Sequence, residues 1–171
     1  AETCPHYFTL TDDVITSFDA NTKVNPPIRE AEDLAAIREG LRDGTLDCIV
    51  TDHAPHHADE KNVEYNLAAF GISGIETSFA LSYTNLVKTG VLTLGQLAER
   101  MSAAPARILK LEGGALEEGG AADIMIADLD KKYAIDPAKF VSKGKNTPFG
   151  GAEVYGEVRC TIVDGDVKYR A

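Results

Sequence analysis

The sequence predicts an α/β fold with a parallel sheet, followed by a small antiparallel β layer. Two observations lead to this class. Up to Gly113, short apolar runs alternate with amphipathic helical patterns, and such alternation is typical of parallel α/β architecture. After Gly114 the pattern changes to strands and tight turns. We therefore expect two parts, residues 1–112 and residues 113–171.

The first helix and the strand after it are predicted from neighbouring segments. Leu34, Ile37 and Leu41 recur at a spacing of three to four residues, and Gly44 follows as a stop signal. The apolar run 48–51 has the length and composition of a strand that is buried on both faces. A loop rich in His, Asp and Lys follows this strand directly.

Two capping boxes predict the starts of further helices. In each box a Ser or Thr is followed three residues later by Glu or Gln, so that the two side chains can satisfy free backbone N–H groups. The boxes are residues 73–76, before a helix that Gly90 ends, and residues 93–96. Pro105 is expected in the first turn of another short helix that reaches about Leu111.

The last part of the chain predicts antiparallel strands. Residues 122–127 are apolar enough for a strand, and residues 157–162 alternate between apolar and polar side chains. Asp164-Gly165 is a two-residue hairpin signal in front of another short strand, residues 167–169.

Composition excludes several classes of protein. The chain has 171 residues, of which 17 are Lys or Arg and 27 are Asp or Glu, so the net charge is −10. Because 44% of the residues are hydrophobic, a disordered chain is not expected. The acidity argues against a nucleic-acid partner, and no apolar run approaches the roughly 20 residues of a membrane helix. Three widely spaced cysteines (Cys4, Cys48 and Cys160) suit a reducing cytoplasmic location.

The strongest candidate site follows the predicted strand 48–51. Three of the four His residues lie in the run 51–57 (TDHAPHH), and functional groups in parallel α/β folds lie beyond the carboxyl ends of strands. Asp52 could bind a metal there and transfer a proton. Alternatively, Asp52 caps a turn and the His residues form an ordinary surface loop. Since Pro55 keeps the His residues off one helical face, the spacing does not predict a self-contained zinc site.

Two other loops are weaker candidates. Asn25 precedes two prolines that restrict the backbone, so its amide could be presented from a rigid loop. Residues 70–74 (FGISG) could offer backbone N–H groups to an anion or a carbonyl oxygen. The alternatives are an ordinary turn at Asn25 and an ordinary loop with a helix cap at residues 70–74.

Five segments together resemble the carboxyl-terminal portion of the class I dihydroorotases, a family within the amidohydrolase superfamily. Their order and spacing fit that family over essentially the whole chain, and the segment through Asp52 and His56 is the most specific. The first segment is also typical of allantoinases and hydantoinases. The segments are residues 3–7 (TCPHY), 23–29 (KVNPPIR), 43–56 (DGTLDCIVTDHAPH), 70–77 (FGISGIET) and 145–149 (KNTPF).

The resemblance implies the C-terminal part of a TIM (β/α)8 barrel with a small β-sandwich portion. Such barrels take about 250 residues, and residues 1–112 leave room for only the last two strands with their helices. The His-x-His pair of the family does not occur in this chain, and Asp52 is the only one of its metal ligands present. The chain also opens without Met. We therefore expect a fragment that needs a missing N-terminal half of the barrel.

The same resemblance implies a zinc-dependent hydrolase that interconverts N-carbamoyl-L-aspartate and dihydroorotate in pyrimidine synthesis. Zn2+ would activate a water molecule, and Asp52 would ligate the metal and act as general base and then general acid. Asn25, His56 and the backbone at Phe70 and Gly71 are implied to bind the substrate. His6 is expected to be structural.

Two other functions stay open at this point. One is a sister cyclic amidohydrolase, such as an allantoinase or hydantoinase. The other is a non-catalytic dihydroorotase-like protein that supports a partner such as aspartate transcarbamoylase. An isolated piece of barrel has open sheet edges, so association with itself is a further expectation.

Overall fold

The computed structural model describes residues 1–171, and its first part combines two short parallel strands with helices. Strand β1 (Glu2–Thr3) pairs with β2 (Cys48–Ile49) in a register that sets Glu2 opposite Cys48. Because the strands run in the same direction, the residues that follow them lie at the same edge of the sheet. The predicted strand 48–51 is confirmed, although it is shorter at its end.

Helix α1 (Ala31–Asp43) connects these two strands and confirms the amphipathic pattern. Leu41 on its apolar face is completely buried, and acidic residues occupy its first turn. Gly44 ends the helix in a left-handed conformation with φ of 93°, and its N–H donates to the carbonyl of Gly40.

A short helix, α2 (Ala58–Lys61), follows β2, and a longer helical segment follows it. That segment consists of α3 (Ser78–Ser82) and a π-helical turn (Tyr83–Val87), and Gly90 lies just beyond its end with φ of 78°. The predicted capping box at residues 73–76 is wrong, because the helix begins only at Ser78.

The side chains of that predicted box have long-range partners instead. The Ser73 hydroxyl donates to the carbonyl of Gly144 at 2.7 Å. The Glu76 carboxylate accepts from the backbone N–H groups of Val141 and Ser142 at 2.8 and 2.9 Å. Both residues therefore bind the segment that leads to the last part of the chain.

The next helical segment begins at the second predicted capping box, which is confirmed. Thr93 and Gln96 exchange the expected side-chain hydrogen bonds. Helix α4 (Leu94–Ala98), a π-helical turn (Glu99–Ala103) and α5 (Ala104–Leu109) then follow without a break. Pro105 lies in the first turn of α5 as predicted, directly after the π-helical turn.

The last part of the chain forms an antiparallel sheet of three strands in the order β3–β4–β5. The strands are β3 (Ile124–Ala134), β4 (Glu153–Val163) and β5 (Asp166–Arg170), and a turn at Asp164-Gly165 joins the last two. The predicted hairpin and antiparallel layer are confirmed. All five residues of β5 are exposed.

Two clusters of buried apolar side chains form the core. The first joins residues from both parts of the chain: Val24, Ile28, Ile72, Ala80, Leu81, Ile135, Phe149 and Val154. The second lies around the α1–β2 region and α3: Phe8, Leu41, Ile49, Tyr83, Leu86, Leu92 and Leu97. The division at residues 112 and 113 stays a prediction. None of the helices combines the length and apolar character that crossing a membrane requires.

Candidate active site

Asp52 lies beyond the end of β2 in an unusual backbone conformation. Its φ is 47°, in the left-handed region that Asp tolerates better than most residues. Its side chain is exposed and takes part in no hydrogen bond or ion pair. Non-glycine residues in this region often lie at functional sites, where the surrounding structure holds them. The structure thus presents a free carboxylate at the strand end.

Cys4 and His6, which follow β1, lie beside this carboxylate. One ligand atom from each of Cys4, His6 and Asp52 lies within 4.8 Å of the other two. Burial, together with the Asp52 charge, raises the pKa of Cys4 to about 12, and burial lowers the pKa of His6 to about 4. The sequence spacing did not predict this group, because parallel pairing of β1 and β2 creates it.

The three His residues of the loop after β2 have separate roles. His56 donates from Nε2 to the carbonyl of Phe70 at 2.8 Å, and its Nδ1 lies 3.3 Å from Glu60. His57 caps α2, and Nδ1 of His53 accepts from the backbone N–H groups that begin at Gly74. The surface-loop interpretation therefore fits His57, whereas His56 joins the two candidate loops.

The segment at Phe70 and Gly71 is held by a backbone hydrogen bond and by close packing against Ala54. The Gly71 N–H donates to the carbonyl of Lys23 at 2.9 Å, while the Phe70 N–H has no acceptor. A Cβ atom on Gly71, whose φ is 121°, would lie 2.5 Å from Cβ of Ala54. Within the segment 70–74 that was predicted as a possible anion site, the Gly74 N–H already donates to Nδ1 of His53, as does the N–H of the next residue, Ile75. Phe70 thus retains the free backbone donor of this loop.

Two buried lysines hold the same segment through its carbonyl groups. Lys23 donates from Nζ to Ala68 at 2.7 Å, and Lys61 donates to Gly71 at 3.1 Å. Neither ammonium has a carboxylate partner. Burial, and after it the Lys23 charge, lowers the pKa of Lys61. Nζ of Lys23 also lies 4.5 Å from the ring centroid of Phe70, which is a cation–π contact. Sequence reasoning missed this arrangement.

Asn146 joins the loops that carry His56 and Gly71. Its side chain is buried, and Oδ1 accepts from the His56 N–H at 2.9 Å. Its Nδ2 donates to the carbonyl of Gly71 at 3.0 Å and more weakly to that of Ala54 at 3.4 Å. Asn146 lies in the segment KNTPF, but nothing local in the sequence gives it this positioning role.

We expect Asn146→Ala to lower the free energy of unfolding by about 2–4 kcal/mol, because it leaves buried backbone groups without partners. The matched control is Asn85→Ala, which removes a single amide hydrogen bond to Leu81 within a helix and should cost about 1 kcal/mol. Chemical denaturation measures both values. Amide hydrogen exchange at His56 should accelerate in the first variant alone, and unchanged protection there would contradict the positioning role.

Asn25 lies on an exposed loop two residues after the buried Lys23. The Tyr7 hydroxyl donates to the carbonyl of Pro26 at 2.6 Å, which fixes the loop to the chain after β1. The Asn25 side chain has no hydrogen-bond partner and stays free. The loop is therefore anchored by its backbone, and α1 begins six residues later. Presentation of the Asn25 amide to a ligand stays a prediction.

A cavity of about 720 Å³ adjoins His56 and is rich in cationic groups. Lys61, Lys143 and Lys145 line it together with two His residues, and Asp19 is its only carboxylate. The whole chain is acidic, so this local excess of positive charge is distinctive. These cationic side chains would attract an anionic group.

Comparisons with known proteins identify the family of this chain. The family model described as "Amidohydrolase family" matches residues 14–168. Dihydroorotases from Acetivibrio thermocellus and Pelobacter propionicus are 53% and 56% identical to this chain over 169 residues. Those alignments cover 99% of this chain and 40% of each relative. The chain thus spans about two fifths of the length of the curated relatives that it matches.

A solved structure gives the same result for the fold. The L-hydantoinase (dihydropyrimidinase) from Arthrobacter aurescens superposes with a TM-score of 0.93 at 34% identity. The superposition covers 99% of this chain and 39% of that protein. The predicted fold class, an α/β fold with the C-terminal part of a TIM barrel and an antiparallel β portion, is confirmed. The chain belongs to the amidohydrolase family.

Proposed function

We propose that this chain forms part of a dihydroorotase, which closes N-carbamoyl-L-aspartate to dihydroorotate and opens it again. The observation that carries the proposal is the free Asp52 carboxylate, held at a strand end beside a loop with fixed hydrogen-bond donors. The names of the most similar relatives support the same reaction.

The residues present fit the Zn2+ that this function requires. Asp52 offers an oxygen ligand with no competing partner, and most of the other ligands would come from outside this chain. Bound zinc would lower the pKa of a water molecule and so supply a nucleophile at neutral pH. The number of zinc ions and the identity of any bridging ligand would be set by residues outside this chain.

Asp52 would transfer the proton that the reaction moves. In ring opening, its carboxylate accepts a proton from the attacking water and then delivers it to the departing ring nitrogen. Ring closure uses the same two transfers in reverse. A residue held beyond the end of a buried strand keeps its position during both steps, which favours transfer over short distances.

Asn25, His56 and the backbone at Phe70 would bind the anionic substrate. The free Asn25 amide and the unpartnered N–H of Phe70 provide donors. The His56 ring donates from Nε2 to the Phe70 carbonyl and so positions that segment, while Gly71 permits close approach of the substrate to the backbone. The buried ammonium groups of Lys23 and Lys61 lie behind this surface. They offset the long-range repulsion that a chain of charge −10 exerts on an anion.

We expect Asn25→Ala in the complete enzyme to raise KM about tenfold with little change in kcat, because the amide binds substrate and transition state alike. The control is Asn66→Ala, an exposed amide on a neighbouring loop that makes no side-chain hydrogen bond. Steady-state kinetics in both directions measure the effect. A loss confined to kcat would contradict a binding role for Asn25.

A second candidate is a hydantoinase-type cyclic amidohydrolase, because the superposition with the L-hydantoinase is so close. A panel of dihydroorotate, hydantoin, dihydropyrimidine and allantoin, tested on the complete protein, decides between them. Turnover of dihydroorotate above the others supports the first proposal, and preference for another ring overturns it.

A non-catalytic role beside aspartate transcarbamoylase is disfavoured because Asp52, Asn25 and His56 are all present. Inactivity on every ring would support it.

The proposed partners follow from the sheet edges and apolar side chains that this chain leaves uncovered. Strands β1 and β2 pair only with each other, and apolar side chains near the site, such as Phe70 and Ile75, are more than half exposed. In the complete protein the N-terminal half of the barrel would cover these faces. A homo-oligomer and a cytoplasmic location are also part of this proposal, and the three free cysteines agree with a reducing compartment.

A further inference from the structure

We propose that Cys4, His6 and Asp52 form a chelating site for a thiophilic divalent cation such as Zn2+, Co2+ or Cd2+. This site shares Asp52 with the zinc site of the proposed function but takes its other two protein ligands, Cys4 and His6, from this chain. The proposal goes beyond the hydrolase function and does not depend on it.

The site arises from the parallel pairing of β1 and β2. The register sets Thr3 opposite Ile49, so the chain after each strand continues at the same edge of the sheet. Cys4 and His6 follow β1 closely, and Asp52 is three residues beyond the end of β2. The left-handed backbone of Asp52 is part of the turn that leaves its carboxylate at this edge.

The three donors match the ligand preferences of zinc-like ions. Sulfur, imidazole nitrogen and carboxylate oxygen are the usual protein ligands of Zn2+, and three of them with one water complete a tetrahedron. Bond lengths of about 2.0–2.3 Å place tetrahedral ligands roughly 3.3–3.7 Å apart. The donor atoms already lie within 4.8 Å of one another, so side-chain adjustments of about 1 Å would enclose an ion.

His6 supplies an independent indication of a ligand. Its side chain is 1% exposed, and its Nε2 atom is fully buried without any hydrogen-bond partner. Its ring packs against that of Tyr7 at a centroid distance of 4.1 Å, which restrains the ring but satisfies neither nitrogen. A buried polar atom without a partner is unfavourable, and coordination to a cation would remove that cost.

The exposure of the three ligands allows an ion to enter. Cys4 and His6 are buried, whereas the Asp52 carboxylate faces solvent and can bind an arriving cation first. As the ion binds sulfur, the Cys4 thiol releases its proton to solvent, so a +2 ion is exchanged for one proton. The solvent side leaves room for the water that would be the fourth ligand. If Asp52 acts as proposed in catalysis, the bound ion would compete with that role.

The probe is Co2+ added to the reduced, metal-free complete protein. A Co2+–thiolate bond gives a sulfur-to-cobalt charge-transfer absorption band, which neither carboxylates nor imidazole produce. We expect Co2+ to give this band and Zn2+ to remove it. Cys4→Ser should abolish the band, and His6→Asn should weaken Co2+ binding about tenfold or more. Cys48→Ser is the matched control, since Cys48 is a buried thiol on the adjacent strand outside the group.

A second measurement covers the case in which a variant fails to fold. In the wild-type chain, Zn2+ should protect Cys4 more than Cys48 or Cys160 from alkylation, as read from peptide masses. Absence of the charge-transfer band, or a band that Cys48→Ser removes and Cys4→Ser leaves, overturns the site. Equal protection of all three thiols also overturns it. None of these readouts uses enzyme activity, so failure of the site and failure of the proposed hydrolase function are separate results.

Discussion

Asp52→Ala should lower kcat of the complete enzyme by about 10⁴-fold or more, because one substitution removes both the proton carrier and a metal ligand. The carboxylate has no structural partner that the loss would disturb. We therefore expect the free energy of unfolding to change by less than about 1 kcal/mol. Rates of dihydroorotate hydrolysis, with the zinc content of the same sample, measure the effect.

Two control variants separate the functions of this side chain. Asp52→Asn keeps a residue that tolerates the left-handed backbone and can still contact a metal, but it cannot accept a proton. It should therefore retain more zinc than Asp52→Ala while remaining nearly inactive. Asp59→Asn changes an exposed carboxylate of α2 and should leave the rate within about twofold of wild type. Near-normal turnover in Asp52→Ala would eliminate the proposed proton transfer.

Gly71→Ala should destabilise the chain by about 2–5 kcal/mol. Its φ of 121° is a region that side chains rarely adopt, and a strain of about 1–3 kcal/mol is expected from that alone. The added Cβ would also lie 2.5 Å from Cβ of Ala54 and 3.1 Å from its carbonyl oxygen, so backbone must move. This movement would displace the Gly71 carbonyl, which accepts from both Lys61 and Asn146. Chemical denaturation measures the loss.

The matched control is Gly90→Ala. Gly90 also has a positive φ, 78°, but nothing lies within 4 Å of the position of its Cβ. The alanine there should cost only about 1 kcal/mol. The difference between the two variants isolates the close contact between Gly71 and Ala54. Equal losses of stability would mean that this contact does not hold the two loops together.

Local patterns in the sequence predicted those elements whose causes are local. The repeat of Leu34, Ile37 and Leu41 predicted α1, and Gly44 ends that helix as expected. The hairpin at Asp164-Gly165 is likewise a consequence of adjacent residues. The periodicity of a helix and the conformation of a two-residue turn depend on short segments, so a single sequence contains the information.

Local patterns did not predict the side chains whose hydrogen-bond partners lie far along the chain. Ser73 and Glu76 have the spacing of a capping box, yet they bind Gly144 and the segment at Val141, about 70 residues away. No local pattern around Asn146 indicates that its side chain accepts from the His56 N–H, 90 residues away. Local rules cannot distinguish a side chain that caps its own helix from one that joins two distant loops.

The candidate site likewise has some features that local sequence patterns predicted and others that they did not. Its position beyond β2 followed from the general placement of functional groups in parallel α/β folds. The identities of Asn25, His56, Phe70 and Gly71 depended on the resemblance to dihydroorotases, and their individual roles remain predictions. The buried ammonium groups of Lys23 and Lys61 were not predicted, because Lys is rarely buried without a carboxylate.

The hydrogen bonds of Asn146 also determine when this region can become ordered during synthesis. Its partners at Ala54 and His56 are separated from it by 92 and 90 residues. A nascent chain therefore carries the His56 and Gly71 loops outside the ribosome for seconds before Asn146 has been made, at about 5–20 residues per second. Over that interval the helices after β2 can form from local contacts, whereas the His56 and Gly71 loops lack the hydrogen bonds that Asn146 makes to them. This arrangement is thus completed only after Asn146 has been synthesised.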